Sequence, residues 1–192
     1  MIIPSSVKSI GNNSFKGCSS LTKISIPSSI TSIGKDAFLG IQSLILEGTI
    51  QNIYDNMFKQ CSTLTQISIT SSVKSIGNNA FDECTSLTHI MISSSVTTIG
   101  NRAFEGCLSL KVLSIPPSVK SIGDYAFNIC SSLKKISIPS SVISIGNNAF
   151  FGIQTLILEG TIQNIYDNMF KDCSTLTQIT IPSSVNSIGN NS

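Results

Sequence analysis

The chain has 192 residues, of which 11% are charged and 41% hydrophobic, and its formal net charge is +2. This hydrophobic content excludes a disordered chain, and no apolar stretch approaches the roughly 20 residues of a membrane span. The twelve Lys and Arg residues form no basic run or stripe, so the sequence offers no electrostatic surface for nucleic acid.

Phenylalanine recurs along the whole chain at intervals of 23 or 20 residues. A fixed period in this range predicts small units stacked on copies of themselves, a solenoid. We expect a mainly β solenoid of about eight coils, formed as a single array over residues 1–192. Both ends cut through a repeat, so the chain is expected to be a segment of a longer array or an array without caps. The expected structural ladder consists of Phe15, Phe38, Phe58, Phe81, Phe104, Phe127, Phe150 and Phe170.

Each unit begins with a short strand of alternating apolar residues, as in Ile67-Ser-Ile69. Alternation with a period of two indicates a strand with one buried face. Strands one repeat apart must lie parallel, and alignment by repeat phase places Ile24 beside Leu44 on neighbouring strands. A Ser-Ser or Pro-Ser-Ser run then ends the strand.

A second short segment, Val-x-x-Ile-Gly, follows in each full-length unit and is expected to be extended or turn-like, and Asn-Asn after it has the chemistry of a turn. The glycine of this segment is expected to adopt a positive φ. The next Ala-Phe pair is compatible with one helical turn, a 3₁₀ segment or a loop. The glycines concerned are Gly11, Gly34, Gly77, Gly100, Gly123, Gly146 and Gly189.

Two units are shorter because each lacks a Cys-Ser-Ser turn, and their sequences are nearly identical. In these units Tyr54 or Tyr166 replaces the glycine, and Met57 or Met169 replaces the alanine. We interpret the larger side chains as filling the space that the missing turn leaves. A higher-order repeat or a recent duplication explains the similarity of the two units.

The repeat Leu-x-x-Ile-x-Ile-Pro-x-Ser-Val-x-x-Ile-Gly-x-x-Ala-Phe-x-x-Cys resembles the BspA-like leucine-rich repeat family, also called the Treponema pallidum type. Residues 133–150 carry the pattern most clearly, and it recurs across essentially the whole chain. The resemblance implies a right-handed horseshoe with a parallel sheet on its concave face. Side chains flanking the buried pair of each strand, including Pro116 and Pro139, would be exposed on that sheet.

Function and location are also suggested by the resemblance. It implies a non-catalytic, protein-binding or adhesion-type scaffold that binds a host or matrix protein, in the class of bacterial or protist surface proteins. The expected location is therefore the cell surface or outside the cell, although the first residues show neither the basic start nor the long apolar middle of a signal peptide. An alternative is a structural module that self-associates end to end through apolar edges of its outer coils.

The six cysteines occupy one repeat column, which the short units lack. Cys18 and Cys173 each face a coil without cysteine, so their nearest partners lie about 10 Å away, beyond disulfide reach. We favour free, buried thiols, and pairing remains an alternative for the adjacent set. That set is Cys61, Cys84, Cys107 and Cys130.

No group of residues favours an enzyme, a metal site or a cofactor. His89 is the only histidine, and its flanking columns offer no carboxylate to orient it. Glu47 and Glu159 lie five coils apart, about 24 Å, too far for paired-carboxylate hydrolysis. One cysteine per coil offers no tetrahedral metal shell.

The middle of the expected concave sheet differs from the rest, because apolar and basic side chains interrupt its Ser and Thr columns. Two interpretations remain: neutral drift on an exposed face, or a contact surface for a protein partner. We call these residues the main-sheet patch: His89, Met91, Lys111, Val112, Lys134 and Lys135.

Overall fold

In the computed structural model the chain forms a parallel β solenoid of about eight turns. The structure describes residues 1–159, 162–165, 167–171 and 173–192, and every regular element in these ranges is a strand. The expected fold class, a mainly β leucine-rich repeat solenoid, is confirmed. The Ala-Phe segment, for which the sequence left three possibilities, is a turn rather than a helix.

The wider of two strand surfaces, which we call the main sheet, comes from the Leu-x-x-Ile-x-Ile segments. All of its strand pairs are parallel, as expected. Numbered in chain order, its first four strands are β2 (Lys23–Ile26), β4 (Ser43–Gly48), β6 (Gln66–Ser68) and β8 (His89–Met91). A separate group contains β11 (Lys135–Ile138), β13 (Thr155–Leu158) and β15 (Gln178–Thr180).

The Val-x-x-Ile segments form a second surface of two-residue strands, which we call the narrow sheet. It divides into three groups, β1-β3, β5-β7-β9-β10-β12 and β14-β16. Both divisions come immediately before a short unit. The strands are β1 (Ser9–Ile10), β3 (Ser32–Ile33), β5 (Asn52–Ile53), β7 (Ser75–Ile76), β9 (Thr98–Ile99), β10 (Ser121–Ile122), β12 (Ser144–Ile145), β14 (Asn164–Ile165) and β16 (Ser187–Ile188).

The core lies between the two surfaces, where apolar residues of equal repeat phase stack from coil to coil. Consecutive rings from Phe15 to Phe150 have centroids 5.2 to 6.0 Å apart, within the usual range for aromatic pairs. Phe15 and Phe170, in the outer coils, are half-buried, whereas the rings between them are fully buried.

The expectation that the Val-x-x-Ile-Gly glycines adopt a positive φ is wrong. None of the seven does; the left-handed residue comes two positions later, for example Asn79 at φ 52° and Arg102 at φ 55°. The glycines are instead required because the coils approach closely. A Cβ atom on Gly123 would lie 2.5 Å from the backbone nitrogen of Asn101, closer than the atoms can pack.

An Asn or Asp side chain of the preceding coil lies beside five of these glycines and explains the close approach there: Gly34, Gly77, Gly100, Gly123 and Gly146. The Oδ1 atom of Asn101 accepts a hydrogen bond from the Asp124 N–H at 2.9 Å. Asp124 in turn accepts one from the Asn147 N–H at 2.7 Å. Each side chain therefore satisfies a backbone donor of the next coil, and this draws the two backbones together.

Strand pairing departs from the repeat phase at the first short unit. The sequence placed Ile24 beside Leu44, but β2 and β4 pair Ile24 with Leu46. The second short unit keeps the expected phase, with Ile136 opposite Leu156. A shift of two residues leaves the same side chains facing the core, so burial does not oppose it.

Two further expectations concern burial, and the first of them is wrong. Pro116 and Pro139 are buried rather than exposed on the sheet face. Met57 and Met169 of the short units are buried, and the Tyr54 hydroxyl donates a hydrogen bond to the Ile30 carbonyl. Tyr166 lies outside the described residues.

The inner cysteines are free, buried thiols, as favoured from the sequence, whereas Cys18 is exposed. The Cys84 thiol donates to the Phe58 carbonyl at 3.0 Å, and the two following cysteines make the same contact one coil further on. Burial raises the pKa of Cys61 and Cys130 to about 12. Cys18 is exposed because it belongs to the first full coil, which is covered on one side only.

Candidate functional site

The main sheet is interrupted at the coil that contains Val112. This coil makes a single parallel bridge, from Val112 to His89 in β8, and pairs with no residue of β11. We call the interruption between Val112 and Lys135 the sheet break. It leaves the β11 edge that faces Val112 without a strand partner.

Threonines just before β6 and β8 add a hydroxyl bond to the backbone bond between neighbouring coils. Both the N–H and the hydroxyl of Thr88 donate to the Thr65 carbonyl, each at 2.9 Å. Thr65 makes the same two bonds to Gln42, at 2.7 and 2.9 Å. Each of these threonines therefore makes two hydrogen bonds to the preceding coil at the start of its strand.

At the sheet break the same repeat column holds Lys111 and Lys134, which have no hydroxyl. The Lys111 N–H bond to the Thr88 carbonyl is stretched to 3.4 Å, and no bond joins Lys134 to the Lys111 carbonyl. Neighbouring strands lie about 4.8 Å apart, and like charges directly opposite each other are destabilising. Loss of the hydroxyl bond and repulsion between the lysines both favour separation.

The main-sheet patch surrounds the sheet break. Met91 is 77% exposed and Val112 is 65% exposed, and His89 with the three lysines is also exposed. Nδ1 of His89 lies 3.0 Å from the Thr88 hydroxyl, and Nζ of Lys134 donates to the Ser131 carbonyl at 2.8 Å. The patch thus combines uncovered apolar side chains with positive charge.

A pocket of about 410 Å³ opens at the sheet break. Of the main-sheet patch, it includes Lys111, Val112 and Lys135, whereas His89, Met91 and Lys134 lie outside its lining. Sequence reasoning missed the remainder of the lining, because strand alternation predicts faces and not gaps between strands. The missed residues are Leu113, Ser114, Ile115, Ser137 and Glu159.

The change of strand register leaves Lys135 without an ion pair. In the first copy of the repeat, Lys23 and Glu47 form an ion pair at 2.7 Å. There Glu47 is opposite Ser25, two residues along from Lys23. In the second copy Lys135 is opposite Thr155, so Glu159 lies four residues along, about 13 Å away.

No ion pair among the described residues includes Lys111, Lys134 or Lys135. Glu159 is the only acidic residue in the pocket lining. The sheet break therefore carries a net positive charge, which favours an anionic group on whatever binds there.

A second pocket, of about 500 Å³, lies away from the main sheet, where the narrow sheet divides before the first short unit. Its charged side chains balance: Lys35 and Lys59 face Asp36 and Asp55. Lys59 is already paired with Asp82 at 2.8 Å. This pocket has no net charge and no largely exposed apolar side chain. We therefore favour the sheet break as the candidate functional site.

Within the described residues, no cluster of side chains is suited to catalysis or to metal binding. No set of three or more His, Cys, Asp or Glu side chains there is placed to hold a metal ion. His89 contacts a threonine rather than a carboxylate. No helix in the same ranges is long and apolar enough to cross a bilayer.

A family model described as BspA type leucine rich repeat region matches residues 1–111 and 97–192, in six copies. It covers the whole chain and includes both the main-sheet patch and the pocket lining. No curated protein matches the chain significantly.

Solved structures with the same fold come from several bacteria. A leucine rich repeat protein of T. pallidum is 29% identical, with a TM-score of 0.69 over 88% of this chain and 73% of that one. A leucine rich cell surface protein of Faecalibacterium prausnitzii is 26% identical, with a TM-score of 0.65 over 98% of this chain. The match spans 64% of that protein's length. A leucine-rich repeat protein of Bacteroides ovatus, 24% identical with a TM-score of 0.52 over 99% of this chain and 70% of that one, supports the fold alone.

Proposed function

The chain belongs to the BspA-type leucine-rich repeat family, and on this premise we propose that it is a non-catalytic scaffold that binds a protein partner through its main sheet. The observation that carries the proposal is the main-sheet patch. Met91 and Val112 are largely exposed, and they are more exposed than Ile45, the apolar residue in the Met91 column of β4. Exposed apolar anchors ringed by polar and charged residues are typical of protein contact surfaces.

The solenoid supports this role because strands β8 and β11 fix His89, Met91 and Lys135 of the patch on either side of the sheet break. Side chains along the main sheet are fixed by strands that stack on a buried core. A preorganised surface loses little conformational entropy on binding, so modest polar contacts add to affinity. We propose that residues 1–192 form a single repeat array that carries this binding surface.

The same proposal places the protein at the cell surface, where it would act in adhesion to a host or matrix protein. One similar structure is described as a leucine rich cell surface protein, and this description supports the location. A partner outside the cell also suits a surface rich in uncharged Ser and Thr, whose contacts are less weakened by salt than ion pairs.

The test uses a panel of purified extracellular-matrix and serum proteins, immobilised and probed with the full chain. A triple variant replaces each patch residue by one that the same column holds in another coil. The changes are Met91→Ser, Val112→Thr and Lys135→Gln. We expect at least one panel protein to bind the chain and the triple variant to bind it roughly tenfold more weakly or worse.

A matched control removes two exposed apolar residues and one lysine away from the main sheet. Leu108→Ser, Ile143→Thr and Lys120→Thr again follow their own columns. We expect this control to bind like the unmodified chain. Equal binding by all three proteins, with both variants folded by circular dichroism, would refute the proposal.

A further inference from the structure

We propose that the sheet break is the docking site for an acidic, extended segment of the protein partner, an inference that rests on the proposed function. The segment would lie between Val112 and Lys135, where the main sheet lacks its pairing. Its carboxylates would be held by Lys111, Lys134 and Lys135.

Unpaired backbone is the first reason for an extended segment. β11 is paired on one side, by β13, and its other edge faces the sheet break. Residues 113–115 belong to no strand. An extended peptide that joins an open sheet edge satisfies such groups by main-chain hydrogen bonds, and its alternate side chains enter neighbouring pockets.

The size and the lining of the pocket at the sheet break agree with an extended peptide as its occupant. The pocket of about 410 Å³ falls within the usual range of ligand pockets, roughly 300–1,000 Å³. Val112 in its wall and the exposed Met91 on β8, the strand bridged to Val112, offer apolar contacts to alternate side chains of a peptide. These contacts favour a peptide over a nucleic acid or a sulfated glycan, which would use only the charge.

The charges explain why the segment should be acidic. Lys111 and Lys134 lie in one column on neighbouring coils, and Lys135 has lost the ion pair that Lys23 makes with Glu47 in the first copy. A carboxylate between the lysines would offset the repulsion between their charges, so binding would stabilise the two coils on either side of the segment.

The experiment uses the full chain and a labelled synthetic peptide of alternating Glu and Val, with fluorescence anisotropy as the readout. A peptide of alternating Gln and Val is the matched control for charge. We expect the Glu peptide to bind roughly tenfold more tightly or better, and its affinity to fall steeply as salt is added. Equal affinity for the two peptides would overturn the inference.

Two variants locate the site. Lys111→Thr with Lys134→Thr restores the threonines of this column, and we expect it to abolish the preference for the Glu peptide. Lys74→Thr with Lys120→Thr removes the same charge from a narrow-sheet column that already contains Thr31 and Thr97, and we expect it to bind normally. Equal loss in both variants would show a general charge effect and would refute the site.

Binding of a heparin fragment or an oligonucleotide, compared with binding of the Glu peptide, distinguishes a glycan or nucleic-acid partner from a peptide partner. A heparin fragment or a single-stranded oligonucleotide that binds at the same lysines, while the Glu peptide does not bind, would refute a peptide partner. If no peptide binds but the Met91, Val112 and Lys135 triple variant still loses its panel protein, the proposed function stands and this inference fails.

Discussion

The residue type that a position requires depends on its contacts with the neighbouring coil as much as on its own backbone conformation. The glycines illustrate this, because their repeat position was predicted from the sequence and their φ was not. Sequence patterns alone associate Gly-Asn-Asn with a left-handed turn. The need for a hydrogen in place of a side chain arises from the backbone of the preceding coil, 22 residues away for the Gly123–Asn101 contact, which a local pattern does not contain.

Gly123→Ala tests this explanation directly. A Cβ atom there would lie 2.5 Å from the Asn101 nitrogen, whereas at Gly11 the nearest atom is the Ser14 hydroxyl at 3.5 Å. We expect Gly123→Ala to lower the free energy of unfolding by about 1–3 kcal/mol, and Gly11→Ala to leave it unchanged or slightly higher. Urea denaturation measures both, and equal effects would contradict the close approach.

The buried thiols make stability depend on alkaline pH. Cys61 and Cys130 have folded-state pKa values raised from 9.0 to about 12, so above pH 9 the unfolded chain loses protons that the folded chain retains. The contribution of these two thiols to the free energy of unfolding is fully present below pH 9. It falls as the pH rises towards 12, by roughly 1 kcal/mol for each thiol and each pH unit. Denaturant unfolding at about pH 8 and about pH 10 measures the loss.

The double variant Cys61→Ala with Cys130→Ala is the control for this pH effect. It is less stable at both pH values because it loses packing, but we expect a smaller difference between them. An unchanged difference would mean that other groups cause the alkaline loss.

At the scale of elements, strands and turns were predictable and their interruptions were not. Period-two alternation located the strands of the main sheet, and the Val-x-x-Ile segments, expected to be extended or turn-like, are two-residue strands. The sheet break depends on a pair of lysines in a column of threonines, Lys111 and Lys134, and on bonds across coils. That signal is visible in the aligned repeat, but its effect emerges only from hydrogen bonds between neighbouring coils.

The division of the narrow sheet before the first short unit should be detectable in solution. The Phe81 N–H donates to the Ala103 carbonyl at 2.8 Å, and the Phe104 N–H donates to Ala126 at the same distance. The corresponding bond from Phe38 to Met57 is missing. We expect the Phe38 amide to exchange with deuterium faster than the other two by nuclear magnetic resonance, and equal protection would contradict the division.

For the whole molecule, the repeat period was sufficient to predict the solenoid, and the resemblance was sufficient to predict the family. Contacts run mainly between neighbouring coils, so the stability of each coil depends on how many neighbours it has. The candidate site was only partly predictable: its lysines and apolar residues were identified as a candidate patch, whereas the pocket and the place of Glu159 in its lining were not. The pocket depends on a gap between coils, and repeat phase assumes that every coil is stacked alike.

Core truncations in different coils test the dependence on neighbours. Phe104 is fully buried between two rings, whereas Phe15 is half-buried and stacks on Phe38 alone. We expect Phe104→Ala to lower the free energy of unfolding by about 3–5 kcal/mol, and Phe15→Ala to lower it by clearly less. Equal losses in thermal and urea unfolding would contradict a one-dimensional array.

The most direct measurement is the deuterium-exchange footprint of a panel protein bound to the full chain. We expect new protection in residues 89–91, 111–115 and 134–138, because the partner covers the main-sheet patch and the sheet break. Residues 33–36 and 55–60, which include the lining of the other pocket, should exchange as in the free protein. Protection confined to those residues, with the main sheet unchanged, would contradict the account.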